Sequence, residues 1–167
     1  MAYSLDQFSA DCRTALQSDP GPDGRQKIRR HLQQALRDPT FLAAHLADKN
    51  PPQREILYED PDLGFCICAH IYDGAKAGDP HDHGPTWAIY GQAEGETEMS
   101  DWKIVEPPRG DRPGKVEKVR SYRLTPGDAH IYEAGDVHAP LRDGLTKLIR
   151  IEGINTDTIK RTLLKPV

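Results

Sequence analysis

The chain is poor in cysteine, in aromatic residues and in long apolar runs. Its 167 residues include three cysteines, and 7% of them are aromatic. A small, odd number of cysteines argues against a disulfide-stapled scaffold. The first residues lack a basic, apolar leader pattern, so we expect reduced thiols and a cytoplasmic location. No apolar run is long enough to span a bilayer, and we therefore expect no membrane partner.

The chain also lacks an excess of basic charge. The 22 Lys and Arg residues are outnumbered by 26 Asp and Glu residues, which gives a formal net charge of -4. This balance argues against a nucleic-acid partner. The one basic run, Arg25–Arg30, is interpreted as the polar side of a helix.

The first third of the chain predicts helices. Asp6–Ser18 favours a first helix, and Pro20–Gly24 is expected to break it. Asp38 is expected to cap a short helix over residues 39–47, with proline at its first position. Residues 1–50 are therefore predicted to form a helical N-terminal cap. An apolar stripe at helical spacing supports a helix between these two: Ile28, Leu32, Ala35 and Leu36.

From residue 54 onward, short β-prone runs alternate with turn clusters. Many short strands with regular turn signals predict an antiparallel barrel or sandwich. We expect a mainly β fold, a jelly-roll barrel over residues 54–155, in a single domain of residues 1–167. The predicted strands are Ile56–Tyr58, Phe65–Tyr72, Thr86–Tyr90, Thr97–Trp102, Val116–Leu124, Ala129–Tyr132 and Thr146–Ile151.

Three histidines are candidate metal ligands. His81 and His83 are two residues apart, so on a strand their side chains point to the same side. His138, on a later strand, can complete a site of three ring nitrogens, which suits Fe, Ni, Cu or Zn. Such a site keeps open coordination positions, as catalysis at a metal requires. Asp82 should face away from the ion and anchor a neighbouring loop.

These residues resemble the cupin superfamily, whose fold is a double-stranded β-helix. The first cupin motif matches at the histidine pair and at Gly95, but Ala88 stands where cupins usually carry a metal-binding glutamate. Pro126–Gly127 and His138 resemble the second motif. Three neutral ligands without a carboxylate are typical of the cysteine dioxygenase-like thiol dioxygenases, and Arg54–Tyr58 resembles their bacterial members in position.

The resemblance implies roles for several residues around the metal. Arg54 stands where the cysteine-oxidising members have an arginine that binds the substrate carboxylate. His70 and Tyr72 are implied to line the pocket. Arg150 and Glu152 replace the His and Tyr of the family's Ser-His-Tyr relay, so the substrate is expected to differ. We expect Glu152 to neutralise Arg150 and to leave Arg54 for the substrate. Arg150 would then support the groups that touch the substrate or serve as an alternative anchor.

The implied reaction is oxidation of a small anionic thiol, such as a thiol carboxylate, to a sulfinic acid. Fe(II) is the preferred cofactor and O2 the second substrate, while Ni, Zn, Mn and Cu remain open. Two alternatives also remain open. One is a three-histidine cupin oxygenase that cleaves a diketone-like substrate, and the other is a non-enzymatic cupin that binds a small molecule. A homodimer is a further open possibility.

The other cysteines and histidines have simpler interpretations. Cys66 and Cys68 share a strand face with the pocket residues and are expected to be reduced and buried, because such positions on one flat strand suit disulfide geometry poorly. A separate zinc site there is not expected, because residues along one strand are too collinear to surround an ion. His31 and His45 are expected on the surfaces of helices or partly packed. His130 is ambiguous and is a candidate pocket residue.

Overall fold

The computed structural model describes residues 2–47 and 51–167. Within them, three helices precede ten strands. The helices are α1 (Leu5–Ser18), α2 (Pro22–Leu36) and α3 (Pro39–Leu46). The strands are β1 (Arg54–Glu59), β2 (Cys66–Tyr72), β3 (Lys76–Ala77), β4 (Ala88–Glu94), β5 (Thr97–Glu106), β6 (Gly114–Leu124), β7 (Ala129–Tyr132), β8 (Val137–Arg142), β9 (Thr146–Glu152) and β10 (Leu164–Pro166).

The strands form two five-stranded sheets. Their orders are β1-β2-β9-β4-β7 in the first sheet and β10-β6-β5-β8-β3 in the second. The pairing of β10 with β6 is parallel, and the other strand pairings are antiparallel. Apart from the neighbouring pairs β1–β2 and β5–β6, successive strands alternate between the sheets, as in a jelly roll. This topology confirms the predicted mainly β fold, the double-stranded β-helix of cupins.

The three middle strands of the first sheet, β2, β9 and β4, are mostly buried on both faces. Ile67, Ile89 and Ile149 point outward and pack in one apolar cluster with residues of all three helices. The helix α2 lies so close to β4 that a Cβ on Gly91 would come within 2.8 Å of the Leu32 side chain. The opposite face looks into the barrel. This double cover explains why β2 is buried without alternation.

The helical segment follows the predictions with one correction. The expected break at Pro20–Gly24 is too long, because α2 begins at Pro22, and proline is well tolerated at the first helical position. The predicted cap of α3 is confirmed, since the Asp38 side chain accepts hydrogen bonds from the backbone N–H groups of Thr40 and Phe41. The end of the predicted cap segment, residues 48–50, lies outside the described residues.

Three strands were not predicted: β3, β8 and β10. Strand β8 contains Pro140, which cannot donate a ladder hydrogen bond, yet it pairs with Met99 of β5. Strand β10 pairs with the start of β6, so the sheets extend beyond the expected end of the barrel at residue 155. Among the helices described, none is both long and apolar enough to cross a membrane.

Candidate metal centre

The three predicted ligands lie together inside the barrel. One ring nitrogen from each of His81, His83 and His138 lies within 4.8 Å of the other two. The Nε2 atoms of His83 and His138 are 3.2 Å apart. His81 and His138 are also joined by two reciprocal backbone hydrogen bonds of 3.0 Å each. The fold thus sets the position of both backbones at the site.

The histidines are in the neutral form that binds metals. The Nδ1 atom of His81 lies 2.8 Å from the carbonyl oxygen of Asp79. A carbonyl only accepts, so Nδ1 carries the proton and the Nε2 lone pair of His81 is available. Burial lowers the pKa of His81 to about 4 and that of His83 to about 3. Burial, and then the neighbouring His81 and His83, hold the pKa of His138 well below its ordinary value.

The spacing of the donor atoms fits a transition-metal ion. Two nitrogen ligands at about 2.0–2.1 Å from one tetrahedral ion are ~3.3 Å apart. The Nε2 atoms of His83 and His138 have nearly this separation. Neutral imidazoles suit Zn, Cu, Fe and Ni. The group of three histidines could therefore hold a divalent metal ion.

Asp82 faces away from the histidine cluster, as predicted, and anchors a neighbouring segment. Its carboxylate accepts hydrogen bonds from the backbone N–H of Gly84 at 3.1 Å and of Thr162 at 3.1 Å. It also accepts one from the Thr162 hydroxyl at 2.5 Å. Gly84 has a φ of 58°, and a Cβ there would come within 2.7 Å of the Lys160 carbonyl oxygen. The metal motif and the C-terminal segment are therefore in direct contact.

A strongly basic cavity of about 290 Å³ opens beside His81. Its lining includes three arginines and two tyrosines: Arg142, Arg150, Arg161, Tyr72 and Tyr90. A cavity with such a lining attracts anions, because cationic walls of low dielectric concentrate the field.

Arg142 is a buried cation without an acidic partner in the described part of the chain. The residue is 3% exposed, and its guanidinium lies 4.2 Å from the centre of the Tyr72 ring. Its Nε atom is buried and has no hydrogen-bond partner. Burial lowers the pKa of Arg142. An uncompensated buried charge is costly, so an anionic ligand would be its natural complement.

Glu152 lies between two arginines, which corrects the expected pairing. Its carboxylate accepts hydrogen bonds from Arg54 at 2.7 and 3.0 Å and also contacts the Arg150 guanidinium. Burial alone would raise the pKa of Glu152, but Arg150 and Arg54 outweigh it and hold the pKa at about 2. Arg54 also contacts Asp157 at 3.3 Å. The expectation that Arg54 is left for the substrate is wrong, because two carboxylates already neutralise it.

The other two predicted pocket residues differ in position. Tyr72 lines the cavity. His70 is buried next to it: its Nε2 lies 3.5 Å from Arg54, and its Nδ1 lies 3.3 Å from the Tyr72 hydroxyl. Burial, followed by the charges of Arg150 and Arg54, lowers the pKa of His70 well below its ordinary value. In this position His70 supports Tyr72 and Arg54.

Three residues near the histidines were missed from the sequence: Tyr90, Arg142 and Arg161. Tyr90 could have been found by strand parity, since it shares a face with Ala88, the position of the cupin glutamate. Arg142 shares a face of β8 with His138 by the same rule. Arg161 precedes β10 in a segment without helix or strand, so no periodicity marks it.

The remaining histidines and cysteines lie away from the cluster. His31 lies 3.7 Å from Asp11 on neighbouring helices, and His45 packs against the ring of Phe41. His130 lines a second cavity of about 500 Å³, between the second half of β5 and the loop before β8. The pair Cys66 and Cys68 is buried and unbonded, as expected, and so is the third cysteine.

Comparisons with known proteins identify similar folds only. No family model matches the chain, and no curated protein matches it. One similar solved structure is that of KdgF from Halomonas sp., with 19% identity over 67% of this chain and 90% of that chain, at a TM-score of 0.46. A cupin superfamily protein from Desulfitobacterium hafniense DCB-2 has 13% identity, over 65% of this chain and 94% of that chain, at a TM-score of 0.45. The cupin domain of Cnp3 from Schizosaccharomyces pombe has 11% identity, over 66% of this chain and 68% of that chain, at a TM-score of 0.49.

Proposed function

We propose that the chain is a metal-dependent enzyme that acts on a small anionic substrate, and that a thiol carboxylate is the leading candidate. One observation carries the proposal: a cluster of three neutral histidines opens onto a cavity whose buried Arg142 has no acidic partner among the described residues. The cluster would hold the ion, with Fe(II) preferred. The arginine would bind the substrate.

The charge balance of the site favours a substrate carboxylate. Arg54 and Arg150 share the carboxylate of Glu152, and Arg54 also contacts Asp157. Arg142 and Arg161 add two further positive charges to the cavity wall. A carboxylate accepts two parallel hydrogen bonds from a guanidinium, and this geometry fixes its orientation as well as its position. Arg142 is therefore assigned the anchoring role that the family resemblance implied for Arg54.

The proposed reaction adds both atoms of O2 to the sulfur of a thiol and gives a sulfinic acid, so no external reductant is needed. A bound Fe(II) would supply the positions at which the thiol and O2 meet. The protein would hold the carboxylate on Arg142 and keep the three imidazoles neutral. Burial of the histidines would exclude bulk water from the reacting sulfur.

A second candidate is oxygenolytic cleavage of a diketone-like substrate. The observation that favours it is the ion pair of Arg150 with Glu152, which stands where thiol dioxygenases have their relay. A carboxylate with a pKa of about 2 and a paired guanidinium are both poor proton-transfer groups near neutral pH. A diketone would lose its proton on binding and chelate the ion through both oxygens as the enolate, so its orientation would depend less on such a relay.

Oxygen uptake by protein loaded anaerobically with Fe(II) tests the proposal. The substrates should include thiol carboxylates, amine thiols without a carboxylate, and β-diketones. We expect uptake and a sulfinic acid product with thiol carboxylates, and loss of both metal and activity in His138→Ala. Uptake only with diketones would support the second candidate, whereas no uptake with any substrate would contradict an oxygenase.

Variants of Arg142 test the anchor. Arg142→Met should raise KM for a thiol carboxylate at least ~10-fold, about 1.4 kcal/mol of binding, and leave the metal content unchanged. The matched control is Arg123→Met, which removes an exposed arginine that pairs with Glu96. Unchanged KM in Arg142→Met would exclude this arginine as the anchor.

A further inference from the structure

We infer that Tyr90 provides a fourth protein ligand, its phenol oxygen, to the ion held by the three histidines. The inference deepens the proposed function, because it rests on metal binding at this cluster. The Tyr90 hydroxyl oxygen lies 3.0 Å from Nε2 of His83 and 3.3 Å from Nε2 of His138. These two nitrogens are themselves 3.2 Å apart. Three donor atoms thus form a nearly equilateral triangle.

The size of this triangle matches one set of ligands around one ion. The centre of a triangle with these edges lies ~1.8 Å from each corner, slightly less than the 2.0–2.1 Å typical of a metal–ligand bond. An ion just above that centre would reach all three atoms at normal distance. The oxygen of Tyr90 therefore lies about as far from each of the two nitrogens as they lie from each other.

The hydrogen bond from the Tyr90 hydroxyl to a histidine would be lost when an ion binds. In the metal-free protein the hydroxyl can donate to only one Nε2 lone pair. An ion uses both lone pairs, so the hydroxyl loses its acceptor while its oxygen stays beside the ion. Binding through oxygen breaks the O–H bond, forms a metal–oxygen bond and releases the proton to solvent. Metal ions commonly remove the proton of a coordinating group in this way.

The surroundings of Tyr90 suit an anionic oxygen. The Nη1 atom of Arg150 lies 3.2 Å from it and donates a hydrogen bond. Arg150 is the residue opposite Tyr90 in the pairing of β4 with β9, so the sheet register holds the two together. Two residues before Tyr90, on the same face of β4, the small side chain of Ala88 is buried in the same apolar cluster. Ala88 cannot supply the carboxylate ligand. The phenol of Tyr90, two residues further along the strand, thus replaces it.

Ferric iron is the sharpest probe, because a phenolate bound to Fe(III) produces a charge-transfer absorption band in the visible. Metal-free wild type titrated with Fe(III) should develop this band, and its resonance Raman spectrum should show tyrosinate modes. Tyr90→Phe should lose both and should bind Zn(II) at least ~10-fold more weakly. The matched control is Tyr132→Phe. The ring of Tyr132 stacks on His138 at 4.0 Å, but its hydroxyl bonds to the Tyr122 hydroxyl at 2.7 Å.

The outcomes separate this inference from the proposed function. Wild type that binds Fe(III) through His138 but shows no phenolate band would overturn the Tyr90 ligand and leave the histidine site standing. A band that persists in Tyr90→Phe would overturn it as well, as would wild type that binds no metal. A band that vanishes only in Tyr90→Phe supports the ligand, even if no thiol is oxidised.

Discussion

At the scale of single residues, Arg142 is expected to favour anion binding and to lower the stability of the folded protein. Its guanidinium is buried next to the Tyr72 ring, and no carboxylate of the described residues neutralises it. Glu152, by contrast, neutralises two arginines at once. Replacing a buried charge by an apolar side chain of similar size is often neutral or stabilising, whereas removing one partner of an ion pair is destabilising.

Arg142→Met is therefore expected to raise the free energy of unfolding by about 1 kcal/mol while it weakens anion binding. Arg150→Met, the matched control, leaves Glu152 with one partner fewer and should lower the free energy of unfolding by ~3 kcal/mol. Urea unfolding of both variants at pH 7.5 measures the two effects. A loss of stability in Arg142→Met as large as in Arg150→Met would show that Arg142 has a structural partner.

The three histidines followed from motif spacing. The strand expected under His81 and His83 is wrong, because His81 forms only an isolated bridge with His138 and His83 lies in a loop, yet both side chains reach one site. His138 was found by its distance along the chain.

The pairing of Arg54 with Glu152 could not be predicted in this way. In the registers of β1 on β2 and of β2 on β9, Arg54 lies opposite His70 and Glu152 lies opposite Cys66. The contact therefore depends on both registers and on the reach of the Arg54 side chain. A single sequence contains no direct record of these registers.

At the scale of elements, successive side chains of β2 point alternately to the helices and to the barrel interior. Its outward residues pack under the helices, and Cys66 and Cys68 look into the barrel. Burial raises the pKa of Cys66 to about 11 and that of Cys68 to about 12, so both are thiols rather than thiolates near neutral pH. Thiols react far more slowly than thiolates.

Native protein at pH 7.5 should therefore react very slowly with a thiol-specific alkylating reagent. After denaturation, mass spectrometry should count three alkylated cysteines. A count of one under non-reducing conditions would mean that Cys66 and Cys68 form a disulfide, against the geometry of neighbouring positions on one strand face.

The strands that were not predicted from the sequence have no periodic pattern of their own. Strand β8 contains a proline, β3 has two residues, and β10 is held by its partner β6. Tertiary contacts stabilise such elements more than propensity does. The clasp of Asp82 on Thr162 is one of these contacts, since it joins the metal motif to the segment before β10.

Asp82→Ala should release this segment. Loss of three hydrogen bonds to a buried carboxylate is expected to lower the free energy of unfolding by about 3 kcal/mol. Hydrogen exchange should accelerate in residues 159–167 before it does so in β2. Thr162→Val removes only the hydroxyl and should cost ~1 kcal/mol. Unchanged exchange in both variants would argue against the clasp.

At the scale of the whole molecule, a polar barrel interior makes stability depend on pH. An unfolded chain protonates His70 near its ordinary pKa of 6.5 and Glu152 near 4.5. In the folded protein the pKa of His70 is well below that value and the pKa of Glu152 is about 2. The unfolded state therefore takes up more protons as the pH falls, and the free energy of unfolding decreases.

The decrease should begin as the pH falls toward 6.5, where His70 and the three metal-ligand histidines contribute, and Glu152 should add to it below pH 4.5. Between pH 7.5 and 5.5, His70 alone is expected to lower the free energy of unfolding of the metal-free protein by about 1.4 kcal/mol. His70→Gln should show a correspondingly smaller decrease in urea unfolding over the same interval. An equal decrease in wild type and variant would show that other groups are responsible.

The reciprocal backbone hydrogen bonds between His81 and His138 have a consequence for metal supply. Folding already positions the backbones of these two ligands, so loading with an ion need not organise the chain, unlike the loading of a zinc finger. Apo-protein should persist and accept ions as they are offered. Affinities at nitrogen sites rise from Fe(II) to Cu(II), so a preformed site exposed to mixed ions fills with copper or zinc first. Mismetallation during purification would then be the default, and iron would have to be delivered in the absence of its competitors.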